Sequence, residues 1–247
     1  MINSVSGVQQ ELKPRVVGFD SNQDGKNDSS VTFLDDESGK PLFRQEDLNN
    51  DGTIDEVWEF LYDEDGKQIG INQDRDNDGE VDLITRYFYD ENGNKSQELI
   101  DYENDGAFDT NVHYNYYENG KLDSKYEDYG NDGKVEECVT YDENGNEKDL
   151  FIYNDDKEKN TRTTYVDRGI DGTIDSASYF QDNEDGTCNT TQFDFVNDGN
   201  IDEVLKFVYD KNGKMTGRYI DENNDGKYDY YNIFDGNGEI VETKKLN

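Results

Sequence analysis

The sequence is poor in the residues from which most catalytic sites are assembled. It has a single histidine, His113, in 247 residues, set in a strand-like stretch beside Asn111, Tyr114 and Asn115. It therefore has no second histidine for a zinc site or a proton relay. There is no glycine-rich phosphate loop and no serine nucleophile elbow. Two prolines leave little scope for rigid linkers. Basic residues are scarce: 24 Lys and Arg stand against 60 Asp and Glu, a formal charge of −36. Nucleic acid and anionic membrane surfaces repel such a chain. Apolar residues make up 31%, and no run of them approaches the roughly 18 residues of a membrane-spanning helix. The opening MINSVSGVQQ has neither a basic start nor an apolar stretch and does not read as a secretory signal.

What the chain has instead is aromatic residues, 13%, and glycine, 23 in all. Disordered acidic tails are poor in aromatics, so this acidity belongs to a folded protein. The glycines are periodic. Asp-Gly pairs place Gly25, Gly52, Gly79, Gly106, Gly133, Gly172, Gly199 and Gly226 at intervals of 27 residues, except for 39 between Gly133 and Gly172. A second series, Gly39, Gly66, Gly93, Gly120, Gly145, Gly186, Gly213 and Gly238, follows the first by 14 residues, or by 12 at Gly145 and Gly238. Two interleaved series in phase define a tandem array with a 27-residue unit.

Each unit contains an acidic loop, an aromatic and β-branched stretch such as Val57–Tyr62, a tight turn such as Asp63–Lys67, and a more polar stretch. Short stretches bounded by Asn-Gly or Asp-Gly suit strands and hairpin turns. The expected fold is all-β: tandem β-hairpins in a long antiparallel meander sheet, elongated, solenoid-like or coiled, with the acidic loops at sheet edges. Eight residues beyond each Asp-Gly glycine stands an aromatic: Phe33, Phe60, Tyr87, Tyr114, Tyr141, Phe180, Phe207 and Phe234. These are expected to form cross-strand ladders and supply the core. The long interval adds two strand-like stretches, Asp149–Tyr153 and Thr161–Val166, and holds three strands where the others hold two. In a strict meander this moves the later loops to the opposite edge; it also reads as a boundary between blocks. The expected division is residues 1–11 as a flexible or capping segment, 12–145 and 167–247 as repeat blocks, and 146–166 as inserted strands, in one continuous repeat domain.

The acidic loops carry the chemistry. Read from its first Asp, the pattern is D-x-[DN]-x-D-G-x-x-D. Full copies are Asp20/Asn22/Asp24/Asp28, Asp47/Asn49/Asp51/Asp55, Asp74/Asp76/Asp78/Asp82 and Asp221/Asn223/Asp225/Asp229, with Asp101/Glu103/Asp105/Asp109 close behind. Ca²⁺ takes six to eight oxygens, and alternation at positions 1, 3 and 5, a glycine at 6 and an acid at 9 suit it. Mg²⁺ is less suited, because it dehydrates reluctantly. Three loops lack an oxygen at position 3 and are expected to be emptier or more hydrated: Asp128/Asp132/Glu136, Asp167/Asp171/Asp175 and Asp194/Asp198/Asp202. Position 12 lacks the bidentate Glu of an EF-hand, and the flanks read as strands. The loops resemble the calcium sites of thrombospondin type 3 repeats, dockerins and integrin-type propellers. The turns of the form Tyr89–Asn94 and Tyr141–Asn146 resemble YD/RHS repeats, which implies a spiralling β-sheet shell.

These features together give the expectation of a non-enzymatic calcium-binding repeat protein, with up to about eight Ca²⁺ sites and a structural or adhesive role, secreted or on a bacterial surface. Extracellular calcium fills sites of about 10⁻⁴–10⁻³ M, whereas cytosolic calcium does not. Besides calcium ions, the expected partner is another protein or a surface glycan, without nucleic acid and without membrane insertion. The alternative is a secreted effector or toxin component, or a hydrolase, with the sheet as scaffold and its pocket built from residues 146–166. Cys138 and Cys188 lie four strand steps apart in a meander, about 19 Å at 4.8 Å per step, too far for a disulfide.

Overall fold

The computed structural model describes residues 12–246; the segment 1–11, expected to be flexible or capping, lies outside the described residues. The described residues form eighteen strands and no helix. They group into two compact units, one reaching to His113 and including Asp128–Gly133, the other comprising Tyr114–Glu127 and the chain from Lys134 onward. The first unit holds β1 (Lys13–Phe19), β2 (Ser29–Asp35), β3 (Pro41–Asp47), β4 (Glu56–Tyr62), β5 (Gln68–Asp74), β6 (Leu83–Tyr89), β7 (Lys95–Asp101) and the start of β8 (Thr110–Tyr116). The second holds the rest of β8, most of β9 (Leu122–Tyr129), then β10 (Glu137–Tyr141), β11 (Glu147–Asp156), β12 (Thr161–Arg168), β13 (Ser176–Asp182), β14 (Cys188–Asp194), β15 (Glu203–Tyr209), β16 (Met215–Asp221), β17 (Tyr230–Phe234) and β18 (Ile240–Lys245). Within each unit successive strands pair antiparallel, β1 through β8 in the first and β9 through β18 in the second.

The tight turns explain the second glycine series. In one of them Asp63 N–H donates to the Lys67 carbonyl (2.9 Å) and Gly66 N–H to the Asp63 carbonyl (3.0 Å). Gly66 has φ 81°, a left-handed conformation that glycine adopts without a side-chain clash. The extra residue shows as a register slip between Leu61 and Tyr62, a bulge that carries the strand twist through the hairpin. The leading carboxylate closes the turn. At Asp142 it accepts the N–H groups of Asn144 (2.8 Å) and Asn146 (2.9 Å) and the Asn146 side-chain amide (2.9 Å).

The aromatic series is not the buried core. Phe33, Phe60, Tyr87, Tyr114, Tyr141, Phe180, Phe207 and Phe234 are all half-buried. The buried apolar residues are Val31, Leu83, Val112, Cys138, Ala177 and Leu205, interspersed with buried Thr85, Thr110, Ser124 and Thr191. The reason is architectural. Within each unit the strand contacts among the described residues run between sequence neighbours, so the rings pack against the strands beside them. Cations cover part of the rings: the Arg15 guanidinium lies 4.3 Å from the Phe33 ring centre, Lys95 Nζ lies 5.0 Å from that of Tyr87, and the Arg162 guanidinium lies 5.0 Å from that of Phe180.

The irregular interval does hold three strands, β10, β11 and β12. Asp182 N–H donates to the Asn160 carbonyl (2.8 Å), and Gly169 N–H to the Lys148 carbonyl (2.6 Å). The β11–β12 turn thus shares an edge with the tight turn before Cys188. The acidic loop from Asp167 shares the other edge with the tight turn before Glu147. Within the second unit, the loops from Asp167 onward stand opposite the edge on which Glu136 closes its own loop.

The strand β12 also repeats β1. Its rungs on β13 match those of β1 on β2 at a constant offset: Arg162 faces Phe180 as Arg15 faces Phe33, and Val166 faces Ser176 as Phe19 faces Ser29. Arg162 pairs with Asp182 (2.6 Å) and lies over Phe180, just as Arg15 pairs with Asp35 (3.2 Å) and lies over Phe33. The interval therefore ends one array and opens another.

Both cysteines are free, Cys138 buried on β10 and Cys188 partly exposed on β14. Burial pushes the Cys138 thiol above the usual range, which leaves less of the reactive thiolate. Titration of unreduced protein is expected to find both thiols after unfolding, and in the native state Cys188 reacting well before Cys138. Detection of neither thiol in the unfolded chain would mean a disulfide and a different strand order. A second expectation concerns Asp142, whose pKa is lowered to about 2, chiefly by the Asn146 amide and then by the Asn146 N–H. An unfolded Asp titrates near 3.9, so this turn's contribution to stability is complete above about pH 4 and is lost as pH falls through about 2. Carboxyl NMR titration should place the native Asp142 midpoint there, and Asn146→Ala should raise it. An ordinary midpoint in the wild type would contradict the turn geometry.

Candidate metal-binding loops

The acidic loops are built around the first aspartate. In the loop from Asp47, one carboxylate oxygen accepts Asp51 N–H (3.0 Å) and the other accepts Gly52 N–H (2.8 Å). The same pair of bonds, from positions 5 and 6 to position 1, recurs at Asp20, Asp74, Asp101, Asp128, Asp167, Asp194 and Asp221. Six of these aspartates are buried: Asp47, Asp101, Asp128, Asp167, Asp194 and Asp221. A buried carboxylate is tolerable when both oxygens receive N–H groups. The loops from Asp128, Asp167 and Asp194, which lack an oxygen at position 3, keep this frame unchanged. Their first aspartate is thus a structural residue in its own right.

The other ligand positions complete the frame. The Asn22, Asn49 and Asn223 side-chain oxygens accept the N–H of position 5 at 2.8, 3.0 and 3.1 Å. Asp24, Asp51, Asp78, Asp105, Asp171, Asp198 and Asp225 accept the N–H of position 7. At position 9, Asp28, Asp55, Asp82, Asp109, Asp175, Asp202 and Asp229 accept the N–H of position 2. The hydroxyl and N–H of Ser21 hold Asp28 below the usual carboxylate range, and Thr53 N–H does the same for Asp51. A carboxylate has about four lone-pair sites, so an oxygen that accepts one N–H keeps capacity for a cation.

One loop brings three carboxylates together. Asp74, Asp76 and Asp78 each place an oxygen within 4.8 Å of the other two. Ligands at 2.3–2.6 Å from a common Ca²⁺ are at most about 5 Å apart, so these residues fit that ion. The Asp82 carboxylate is turned to Arg75 N–H (2.6 Å) and is not one of the three. Asp132, Glu103 and Glu136 complete the residues singled out by sequence; Asp132 donates its N–H to Asp128 (3.0 Å), and Glu136 N–H closes its loop on the Glu127 carbonyl (2.9 Å).

Position 4 escaped the sequence reading. It is left-handed in every loop: Gln23, Asn50, Asn77, Asn104, Asn131, Ile170, Asn197 and Asn224 have φ between 49° and 60°. Asn tolerates this conformation better than other residues with side chains. It also links loops: Asn50, Asn77, Asn104 and Asn197 donate their amides to the position-8 carbonyls of the preceding loops, Asn27, Ile54, Val81 and Ile174, at 2.8–3.2 Å. The two loops without Asn, at Gln23 and Ile170, follow the equivalent strands β1 and β12, and among the described residues of its unit neither has a preceding loop on its edge. The signal was present in the sequence as Asn-Asp-Gly.

A depression of about 350 Å³ lies over β12, β13 and β14, lined among others by Thr161, Thr163, Tyr179, Gln181 and Gln192. Its one charged side chain, Arg162, is held by Asp182 through two bonds of 2.6 and 2.8 Å.

No family model and no curated protein matches the chain. Among solved structures, the TcdB2–TccC3–TEV crystal structure is 12% identical with a TM-score of 0.36, over 87% of this chain and 15% of that one. The Photorhabdus luminescens Tc holotoxin pore is 12% identical with a TM-score of 0.29, over 94% and 14%. A porin-like protein from Bacteroides uniformis is 8% identical with a TM-score of 0.28, over 87% of each chain. The chain spans less than a fifth of the length of the two toxin chains. At these levels the likenesses concern the chain trace alone.

The position-4 geometry generates a test. Asn77→Gly keeps the left-handed backbone and deletes the amide, so it should cost about 1 kcal/mol. Asn77→Val adds the steric cost of about 1–2 kcal/mol. Ile170→Asn should stabilise by a similar steric increment. Denaturation midpoints check the order Ile170→Asn above wild type, then Asn77→Gly, then Asn77→Val; any other order would sink this account.

Proposed function

We propose that the protein is a non-enzymatic calcium-binding repeat protein whose rigidity depends on cations held in its acidic loops. The observation that carries this reading is the convergence of Asp74, Asp76 and Asp78 in a loop whose backbone frame recurs in phase along the chain. Electrostatics supports it. Eight divalent ions would bring the formal charge from −36 to −20, and so relieve repulsion along rows of neighbouring loops. The role that follows is a calcium-stiffened spacer, adhesive segment or shell, outside the cell or on a bacterial surface, that engages another protein or a surface glycan.

The test is isothermal titration of chelator-stripped protein with Ca²⁺ and, separately, Mg²⁺. Ca²⁺ should bind with a stoichiometry of several per chain and Mg²⁺ much more weakly. The loops from Asp20, Asp47, Asp74 and Asp221 should fill first, followed by Asp101. Asp76→Ala should remove one Ca²⁺ without lowering stability in chelator, because Asp76 is exposed. Calcium should raise Tm steeply. An identical Tm in excess chelator and in calcium would refute the proposal.

A further inference from the structure

Two hairpins of this chain are copies of one another in register. Both β10–β11 and β17–β18 are the short form, with a turn glycine 12 residues after the Asp-Gly glycine. Each rung corresponds: Glu137 faces Ile152 as Tyr230 faces Lys245, and Tyr141 faces Glu147 as Phe234 faces Ile240. The flanking bonds match as well, Tyr153 N–H to the Glu136 carbonyl and Leu246 N–H to the Asp229 carbonyl, both 2.7 Å. With β1 equivalent to β12, the chain is two arrays, each opening on a leader strand and ending in a short hairpin. The way one array joins the next is visible within it: β11 ladders onto β12 from Asp149 facing Arg168 to Asp156 facing Thr161.

The same two edges recur on β18 and β1. Every residue of both strands is exposed. Val16 is 65% exposed, Phe19 50%, Val241 61% and Leu246 46%. The counterparts of Val16, Phe19 and Leu246 at the internal junction, Thr163, Val166 and Tyr153, are half-buried, whereas that of Val241, Lys148, is exposed. Asp28 N–H donates to the Phe19 carbonyl, so alternate residues of β1 face β2, and Val16 and Gly18 direct their backbone groups away from it. Leu246 N–H likewise faces the β17 side, so Thr243 and Lys245 direct theirs away. An exposed apolar edge strand is a template for strand addition.

We propose that β18 of one molecule adds to β1 of a second copy, head to tail, in the register of the β11–β12 junction. In that register Glu242 faces Ser21, Lys244 faces Phe19, Lys245 faces Gly18 and Leu246 faces Val17. Two apolar residues meet, and two lysines come beside the acidic loop that begins at Asp20, on a chain with a formal charge of −36. Edge charges and prolines are ordinary defences against such pairing, but neither blocks this one. Arg15 corresponds to Arg162, which lies inside the internal junction folded onto Asp182. Pro14 lies outside the rungs that run from Glu242–Ser21 to Leu246–Val17, so its missing N–H costs none of them. The contact joins two different surfaces, so it propagates into a string of molecules unless the rotation closes a ring.

Sedimentation velocity over a concentration series, in buffer containing calcium, tests this. The wild-type chain should gain mass with concentration beyond a dimer. Gly18→Pro removes the outward N–H that faces Lys245, with the Asn27 side chain displaced to make room, and Lys245→Pro removes the matching N–H from β18; each variant alone should remain monomeric. Mixed in equal amounts they should form a dimer of twice the monomer mass and nothing larger, because each supplies the edge the other lacks. Circular dichroism matching the wild type confirms that both variants fold. A wild type that stays monomeric overturns the proposal. So does a mixture that stays monomeric, or association that survives in one variant alone, which would mean pairing of like edges.

Discussion

The fold hangs on one interaction, the carboxylate of each loop's first aspartate accepting the N–H groups of positions 5 and 6. Those N–H groups point into the loop because positions 4 and 6 are left-handed, and a reversal that tight leaves them without strand partners. Without an acceptor, each would be an unmade bond at the end of a strand, at about 1–3 kcal/mol. The aspartate solves this locally, from the last rung of the strand that enters the loop. Asp47, Asp101, Asp194 and Asp221 are both the final residues of β3, β7, β14 and β16 and the clamps of the loops that follow. Strand length, loop shape and burial of the carboxylate are therefore set together, and the interval of 27 residues follows from repeating that unit.

The clamp bears on how much of the site could be read from sequence. The spacing of Asp20, Asp47, Asp74 and Asp221 correctly located the loops, and the glycine series located the turns. The role of each acid was not legible, because a carboxylate that ligates a cation and one that accepts backbone N–H groups occupy the same places in the pattern. The loops from Asp128, Asp167 and Asp194 separate the two roles. They lose the position-3 oxygen and keep the clamp, so the clamp is the constraint the fold cannot relax. The aromatic columns were misjudged for a related reason. Periodicity shows which residues share a face, but whether a second layer covers that face is a property of the whole sheet. Phe60 and Tyr87 are half-buried.

The exceptions to the repeat carry as much information as the rule. Gln23 and Ile170 replace Asn where no preceding loop among the described residues of the unit offers a carbonyl on that edge. Asp35 and Asp182 stand where Tyr62, Tyr89 and Tyr209 otherwise send a hydroxyl to the carbonyl of a neighbouring hairpin, at Pro41, Gln68 and Cys188. In both places an arginine of the leader strand takes the carboxylate instead. Two independent departures, at opposite ends of a strand, thus fall on the same two repeats. The unit adjusts its residues to the neighbour it has, which is the behaviour of a one-dimensional array whose stability comes from adjacent pairs.

Charge is distributed by the same logic. Lys227 stands 3.9 Å from Asp225 of its own acidic loop, but other lysines serve the tight turns. Lys40 and Lys67 donate to the Gly66 and Gly93 carbonyls at 3.1 and 3.0 Å, and Lys121 donates to Asn144 at 2.7 Å, all on the tight turns. Each bridges one hairpin turn to the next, as the asparagines bridge loop to loop at the other edge. Where the loops lie side by side, the bridging groups are neutral amides, and the carboxylates face one another across them unscreened by any lysine in that row of bonds. A neutral bridge keeps the loops in register without consuming their charge. The sheet edge is thereby left rich in carboxylates at fixed spacing. Within the second unit the same kind of bridge recurs, from Asn197 to the Ile174 carbonyl at 3.2 Å, and the odd number of strands in the irregular interval puts these loops on the edge away from the one where Glu136 closes its loop.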